Sequence, residues 1–135
     1  MKEYRQLIDI RFADIDAYHH VNNAVYLSYM EHTRVKLMLR KFSAHAQTDI
    51  QFVVSEATCK YIKPIRLDDQ LEVVARFRLK GRLRLNIEFR FVTPDDSVLY
   101  AIGNTMMACI DKSTGRPRPI PEELIEQLQI EAPGE

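Results

Sequence analysis

From Arg11 to Arg34 the chain reads RFADIDAYHHVNNAVYLSYMEHTR, and Asp14, Asp16, His19, His20, Asn22 and Asn23 all fall within ten residues of it. Carboxylates in such a passage can attack an electron-poor carbonyl or take a proton from water. The first N–H groups of a helix lack intrahelical partners and lie at the positive end of its dipole, so they can hold the oxyanion that such an attack creates. Partial burial against an apolar helix would tune the carboxylate's proton affinity. The same residue types also make ordinary turns and helix caps. Metal binding by the Asp/His group is a further reading, although no HxH, HExxH or Cys/His spacing accompanies it. The chain has no GxSxG, P-loop or GxGxxG motif, so serine-hydrolase, nucleotide and dinucleotide chemistry find no support.

These groups need a frame. The segment from about Tyr4 to Phe12 alternates, with Ile8, Ile10 and Phe12 on one face and Asp9 and Arg11 on the other, as in a half-buried strand. From Ala24 to about Phe42 there is neither Pro nor Gly, and Asn22-Asn23 suit an N-cap, which predicts the chain's one long helix. Val25, Leu27, Met30, Leu37 and Leu39 point in several directions around it, so it is expected to be largely enclosed. After a polar stretch at Ser43 to Asp49, breaks at Lys63-Pro64, Lys80-Gly81 and Thr93-Pro94-Asp95-Asp96 divide the chain up to Asp111 into four further strands.

In two of these strands Leu71, Val73, Ala75, Phe77 and Leu79, then Leu83, Leu85, Ile87, Phe89 and Phe91, all point one way. Val98 to Ile110 is apolar or small at both parities and is expected to be covered on both faces, interior to the sheet or to the assembly. Pro121-Glu122-Glu123 followed by Leu124, Ile125 and Leu128 predicts a short terminal helix. The expected architecture is α+β: one five-stranded antiparallel sheet wrapped around a long central helix, in a single domain over residues 1–135. Such a sheet leaves at least one edge strand, and the last strand looks two-sided, so a homodimer or homotetramer is expected.

Composition narrows the partners. The 135 residues carry 19 Lys+Arg against 19 Asp+Glu, which removes a whole-molecule electrostatic argument for nucleic acid or acidic membranes. Apolar runs are only a few residues long, so neither a membrane span nor a signal-peptide core is expected, and the chain reads as cytoplasmic. Cys59 and Cys109 lie far apart and outside any CxxC cluster, and read as buried free thiols. Arg76, Arg78, Lys80, Arg82 and Arg84 cluster about Gly81 on the face opposite the apolar stripe, either as a solvated outer face or as a local anion site. No aromatic residues interleave with them, which argues against single-stranded nucleic acid. Lys60, Lys63 and Arg66 form a second basic set.

The segment DIDAYHHVNNAVYLSYMEHTR resembles the signature of hotdog-fold acyl-CoA thioesterases of the 4-hydroxybenzoyl-CoA thioesterase family, and FVVSEATCKYIKPIRLDDQLEV is similar to a later region of the same family. The likeness, strongest to bacterial YbgC-like members, spans nearly all of residues 5 to 128. It implies a hotdog fold and hydrolysis of an acyl-CoA to a carboxylic acid and free coenzyme A, with no cofactor or metal beyond the substrate's own coenzyme A. It further implies Asp16 as the catalytic carboxylate, Asp14 as a support of the loop or the strand end, and the Asn23 N–H as the group that polarises the thioester carbonyl. His20 and Asn22 would line the pocket or hold Asp16, and Tyr26 would be an aromatic of the first helical turn. Glu31 and Arg34 would pair, and Lys80, Arg82 and Arg84 would meet coenzyme A phosphates. One departure stands out: His19 occupies a position where many relatives have glycine, which a turn with φ above zero would favour. A thiol leaves a thioester readily, so charge stabilisation and one carboxylate can suffice. Two other classes stay open at this stage: a non-catalytic acyl-CoA or acyl-carrier-protein binding module, and another hotdog enzyme such as a dehydratase.

Overall fold

A computed structural model of the chain describes residues 2–42 and 49–128. The polar connection over 43–48 and the Leu39 side chain lie outside them. The described chain forms β1 (Tyr4–Ile8), α1 (Asn23–Phe42), β2 (Ile50–Tyr61), β3 (Leu71–Lys80), β4 (Arg84–Val92), β5 (Leu99–Asp111) and α2 (Glu122–Leu128). The five strands make one antiparallel sheet in the order β1-β3-β4-β5-β2.

The alternation expected of β3 and β4 sets which face is buried. Leu71, Val73, Ala75, Leu85, Ile87, Phe89 and Phe91 are fully buried, with Phe77 and Leu79 nearly so. Each such large side chain contributes about 1.5–3 kcal/mol of apolar burial. Leu83 is the exception: it belongs to the turn after Gly81, where φ is +69°, and stays 39% exposed.

α1 lies on this buried face. Tyr26, Tyr29, Met30, Thr33 and Leu37, spaced as one side of a helix, are buried. Met30 sits where β5 has no side chain: a Cβ on Gly103 would lie 2.5 Å from Met30 Sδ. The expectation that α1 is enclosed on most sides is not met within the chain, since Leu27 and Val35 are 41% and 42% exposed. A single sheet covers one side of a helix, and among the described residues Leu27 and Val35 on the other side stay open.

Two further expectations are corrected. β1 ends at Ile8 instead of continuing to Phe12, which is 83% exposed in a 3₁₀ turn over Phe12–Asp14. The cause is the buried carboxylate of Asp14, which draws the Arg11 N–H and guanidinium to itself, both at 3.1 Å, and so bends the chain. β5 is interior to the sheet as expected, paired on both sides with β4 and β2, and only the cover of its two faces departs from expectation. Its buried parity faces the core while Ile102, Asn104, Met106 and Ala108 on the other parity are only partly covered. The sheet's two edges are β1 and β2, and β2 is twelve residues long and mostly exposed. α2 docks as expected through buried Leu124 and Leu128, and the Tyr4 hydroxyl donates to the Leu128 carbonyl at 2.8 Å.

Candidate active site

The loop between β1 and α1 is closed on itself. Ile15 and Val21 form an antiparallel bridge, the Asn22 N–H donates to the Asp14 carbonyl at 2.9 Å, and the Val21 N–H donates to the Ile65 carbonyl at 2.8 Å. Asp14 lies beneath this loop, 3% exposed, and accepts hydrogen bonds from Tyr29 Oη at 2.7 Å and from Arg11. Burial alone would raise its pKa, but the Tyr29 and Arg11 hydrogen bonds outweigh it and hold the carboxyl below the usual carboxylate range. Its partner Tyr29 is pushed well above the usual phenol value, by burial first and then by Asp14. Asp14 is therefore a fully engaged structural anion.

Asp16 is placed differently. It is half-buried at the turn of the loop, where its N–H donates to the His20 carbonyl at 2.8 Å. Its Oδ1 accepts the N–H groups of Tyr18 at 2.8 Å and His20 at 3.3 Å. Its Oδ2 accepts no hydrogen bond among the described residues. The side chain is thus held by one oxygen and offers the other. The tight turn it spans forces His19 to a φ of 67°, so the histidine itself takes the left-handed conformation that glycine would favour, at a cost of about 1–2 kcal/mol. The His19 side chain is exposed.

α1 begins immediately after. Asn22 Oδ1 accepts the Ala24 N–H at 2.9 Å, a regular N-cap, and the Asn22 carbonyl accepts the Val25 N–H at 2.9 Å. The Asn23 N–H, between them, has no partner among the described residues. A cavity of about 280 Å³ is lined by Asp16, His20, Val21, Asn23 and Tyr26 on one side and by Tyr61, Ile62, Lys63 and Pro64 on the other. Tyr26, 2% exposed, packs edge-to-face on Tyr61 with centroids 4.8 Å apart and tilted on Phe91 at 5.3 Å. Burial pushes its phenol up to about 12, so it stays protonated.

Of the residues singled out from the sequence, Asp16, His20, Asn23 and Tyr26 share this cavity. Asn22 does not line it; its side chain is spent on the cap. Glu31 and Arg34 pair at 3.8 Å on α1, with the arginine largely covered. Lys80, Arg82 and Arg84 are not brought to the cavity within one chain. Tyr61 pairs with Ala101 and Arg84 with Ala108, so seven residues of β5 separate the two levels, about 23 Å at the rise of a strand. Lys80 instead lines a hollow of about 220 Å³ with Arg76, Arg78, Asn86, Glu88 and Asn104 on the outer sheet face. The second basic set does better, since Lys63 stands on the cavity rim. Tyr61, Ile62 and Pro64 were not anticipated as site residues. The Lys63-Pro64 break marked the end of a strand, but nothing local told that this end faces the helix start.

The whole stretch that builds this cavity matches a family model. Residues 10–128 match the model described as the thioesterase-like superfamily. The chain belongs to that superfamily. It is 26% identical over 129 residues to the acyl-CoA thioester hydrolase YbgC of Escherichia coli O6:H1, covering 93% of this chain and 96% of that protein. It is 30% identical over 125 residues to the long-chain acyl-CoA thioesterase FadM of Escherichia coli K12, covering 90% and 94%. Among solved structures it is similar to a thioesterase of Thermus thermophilus complexed with coenzyme A and zinc, at 33% identity and a TM-score of 0.75, covering 93% and 91%. Its sheet and central helix are those of the hotdog fold, and this member of the thioesterase-like superfamily is a thioesterase, an enzyme rather than a binding module.

Proposed function

We propose that this thioesterase hydrolyses an acyl-CoA to a carboxylic acid and free coenzyme A, with Asp16 as nucleophile or general base and the Asn23 N–H as the donor to the thioester carbonyl. The observation that carries the reading is one cavity bordered by an uncommitted carboxylate oxygen and an unpartnered helix-start N–H. The acyl-CoA substrate is supported by the relatives named for it. The Asn23 N–H takes the charge that builds on the carbonyl oxygen, helped by the helix dipole. Asp16 Oδ2 then acts in one of two ways. It can attack the carbonyl carbon, expel the thiolate and leave a mixed anhydride that water opens, regenerating the carboxylate. Alternatively it takes a proton from water as that water attacks, and returns it to the departing thiolate. Neither route needs a cofactor. The His20 N–H on Oδ1 keeps the carboxyl turned to the cavity in both.

The exposed edge of β2 supports a homodimer, and pairing at that edge offers a way for distant cations to serve the site. Antiparallel pairing of β2 with the β2 of a second copy sets the Ile50 end of one strand beside the Tyr61 end of the other. The far end of the second copy's sheet, with its Lys80, Arg82 and Arg84, then approaches the cavity of the first. We assign the coenzyme A phosphates to those residues in trans, with Lys63 contributed in cis. A cytoplasmic setting and a single domain complete the reading; free Cys59 and Cys109 suit the former, and none of the described helices is long and apolar enough to cross a membrane.

Asp16→Asn tests the assignment. It should melt like the parent and lose at least about a hundredfold in kcat, followed as free thiol released from short-chain, long-chain and aromatic acyl-CoAs. Parental turnover would refute the role of Asp16. Label from oxygen-18 water in the Asp16 carboxyl would establish the anhydride route opened at the aspartyl carbonyl, and trapping of an aspartyl anhydride by hydroxylamine tests for opening at the acyl carbonyl, which labels only the product.

A further inference from the structure

We propose that Tyr61 is a positioning residue for the hydrolysis, its hydroxyl holding the first residue of α1 against the end of β2 so that the Asn23 N–H keeps its aim into the cavity. The inference rests on the assignment of Asp16 and Asn23 above. Tyr61 Oη donates to the Asn23 carbonyl at 2.8 Å, a bond between residues 38 apart in sequence that joins the two walls of the cavity. The Asn23 carbonyl and N–H flank one Cα, so clamping the carbonyl limits how far the N–H can swing.

The clamp is itself anchored. The Tyr61 ring stands edge-to-face on Tyr26, and Tyr26 leans on Phe91 of β4, both of the latter being buried. Just beyond Tyr61, the Ile62 and Lys63 N–H groups both donate to the Tyr100 carbonyl, at 2.8 and 3.0 Å, and hold the strand end to β5. The position of the hydroxyl is thus inherited from the sheet core through a short chain of rings. From the other side, the Asn22 cap holds the Ala24 N–H in the same first turn of the helix. Oxyanion donors repay such support because they act only when already aimed at the developing charge.

A merely structural hydrogen bond at a residue 44% exposed would leave catalysis untouched, and this gives the test. Tyr61→Phe keeps the ring and removes the clamp. With hexanoyl-CoA and benzoyl-CoA as probes, its kcat should fall about tenfold or more with KM within about twofold and an essentially parental melting curve. Tyr61→Ala, which also removes the ring from the cavity wall, should in addition raise KM. Tyr61→Phe with parental kcat, beside an inactive Asp16→Asn, would overturn the role of Tyr61 and leave the reading of the site standing. A raised KM at parental kcat would make Tyr61 a simple binding contact and overturn it equally. An active Asp16→Asn would remove the reading itself, and the inference with it.

Discussion

The Tyr29 hydroxyl donates to Asp14 Oδ2 at 2.7 Å, and this buried bond ties the core face of α1 to the loop that carries Asp16. Tyr29→Phe leaves a buried carboxylate short of a donor and should cost about 1–3 kcal/mol of stability. Because the Asp14 pKa is depressed in the folded protein, the stabilisation is complete above the unfolded carboxylate value near pH 4 and is lost as pH falls through the lower folded value. Urea unfolding of parent and variant should therefore differ most at neutral pH and converge in acid. A gap that persisted in acid would show that the bond does not act through the ionised carboxylate.

His19 holds a φ of 67° with no glycine to relieve it. Glycine there removes a left-handed penalty of about 1–2 kcal/mol and adds an unfolded-state entropy cost of about 0.5–1 kcal/mol, so His19→Gly should stabilise the protein slightly. The exposed imidazole has no place in the proposed chemistry, so turnover should stay parental. A large loss of kcat would instead give His19 a role at the substrate entrance.

At Gly103 helix and sheet approach tightly, with Met30 Sδ 2.5 Å from where a Cβ would stand. Gly103→Ala must drive the methionine into a poorer rotamer and should cost about 1–3 kcal/mol. In a Met30→Ala background the same substitution should cost much less. A double-mutant cycle in urea that returned no coupling between the two positions would mean that the sheet, not Met30, absorbs the added methyl.

The trans assignment of the basic turn is open to a mixing experiment. The Asp16→Asn chain and a chain with Lys80, Arg82 and Arg84 all changed to alanine should each be poor alone on acyl-CoA. In mixed dimers one cavity combines an intact Asp16 with an intact basic turn, so low-KM turnover should reappear after co-refolding. No recovery would return the phosphates to residues of the same chain. The triple variant should lose little on an acyl-pantetheine, which lacks the nucleotide phosphates.

Much of this protein is legible along the chain because its determinants are local. The period-two alternation of Leu71 to Leu79 and Leu85 to Phe91 dictates strands with one buried face, since a one-residue slip would expose every core side chain. The cap at Asn22 and the Pro- and Gly-free run after it dictate where α1 starts, and the density of acids and amides beside that start marks the reacting passage.

What local pattern could not state is which distant groups meet that passage. That Asp14 is consumed by Tyr29 and Arg11 while Asp16 keeps an oxygen free depends on burial, which a sequence of two similar aspartates does not reveal. That β2 lies at an edge, that Tyr61 reaches Asn23, and that the basic turn lies a strand's length from the cavity all follow from strand order. Strand order is set by how the whole sheet best covers one helix. Residue types and their spacing therefore determined the chemistry this chain can attempt, and packing of the sheet on α1 decided which carboxylate, which amide and which tyrosine are in position to attempt it.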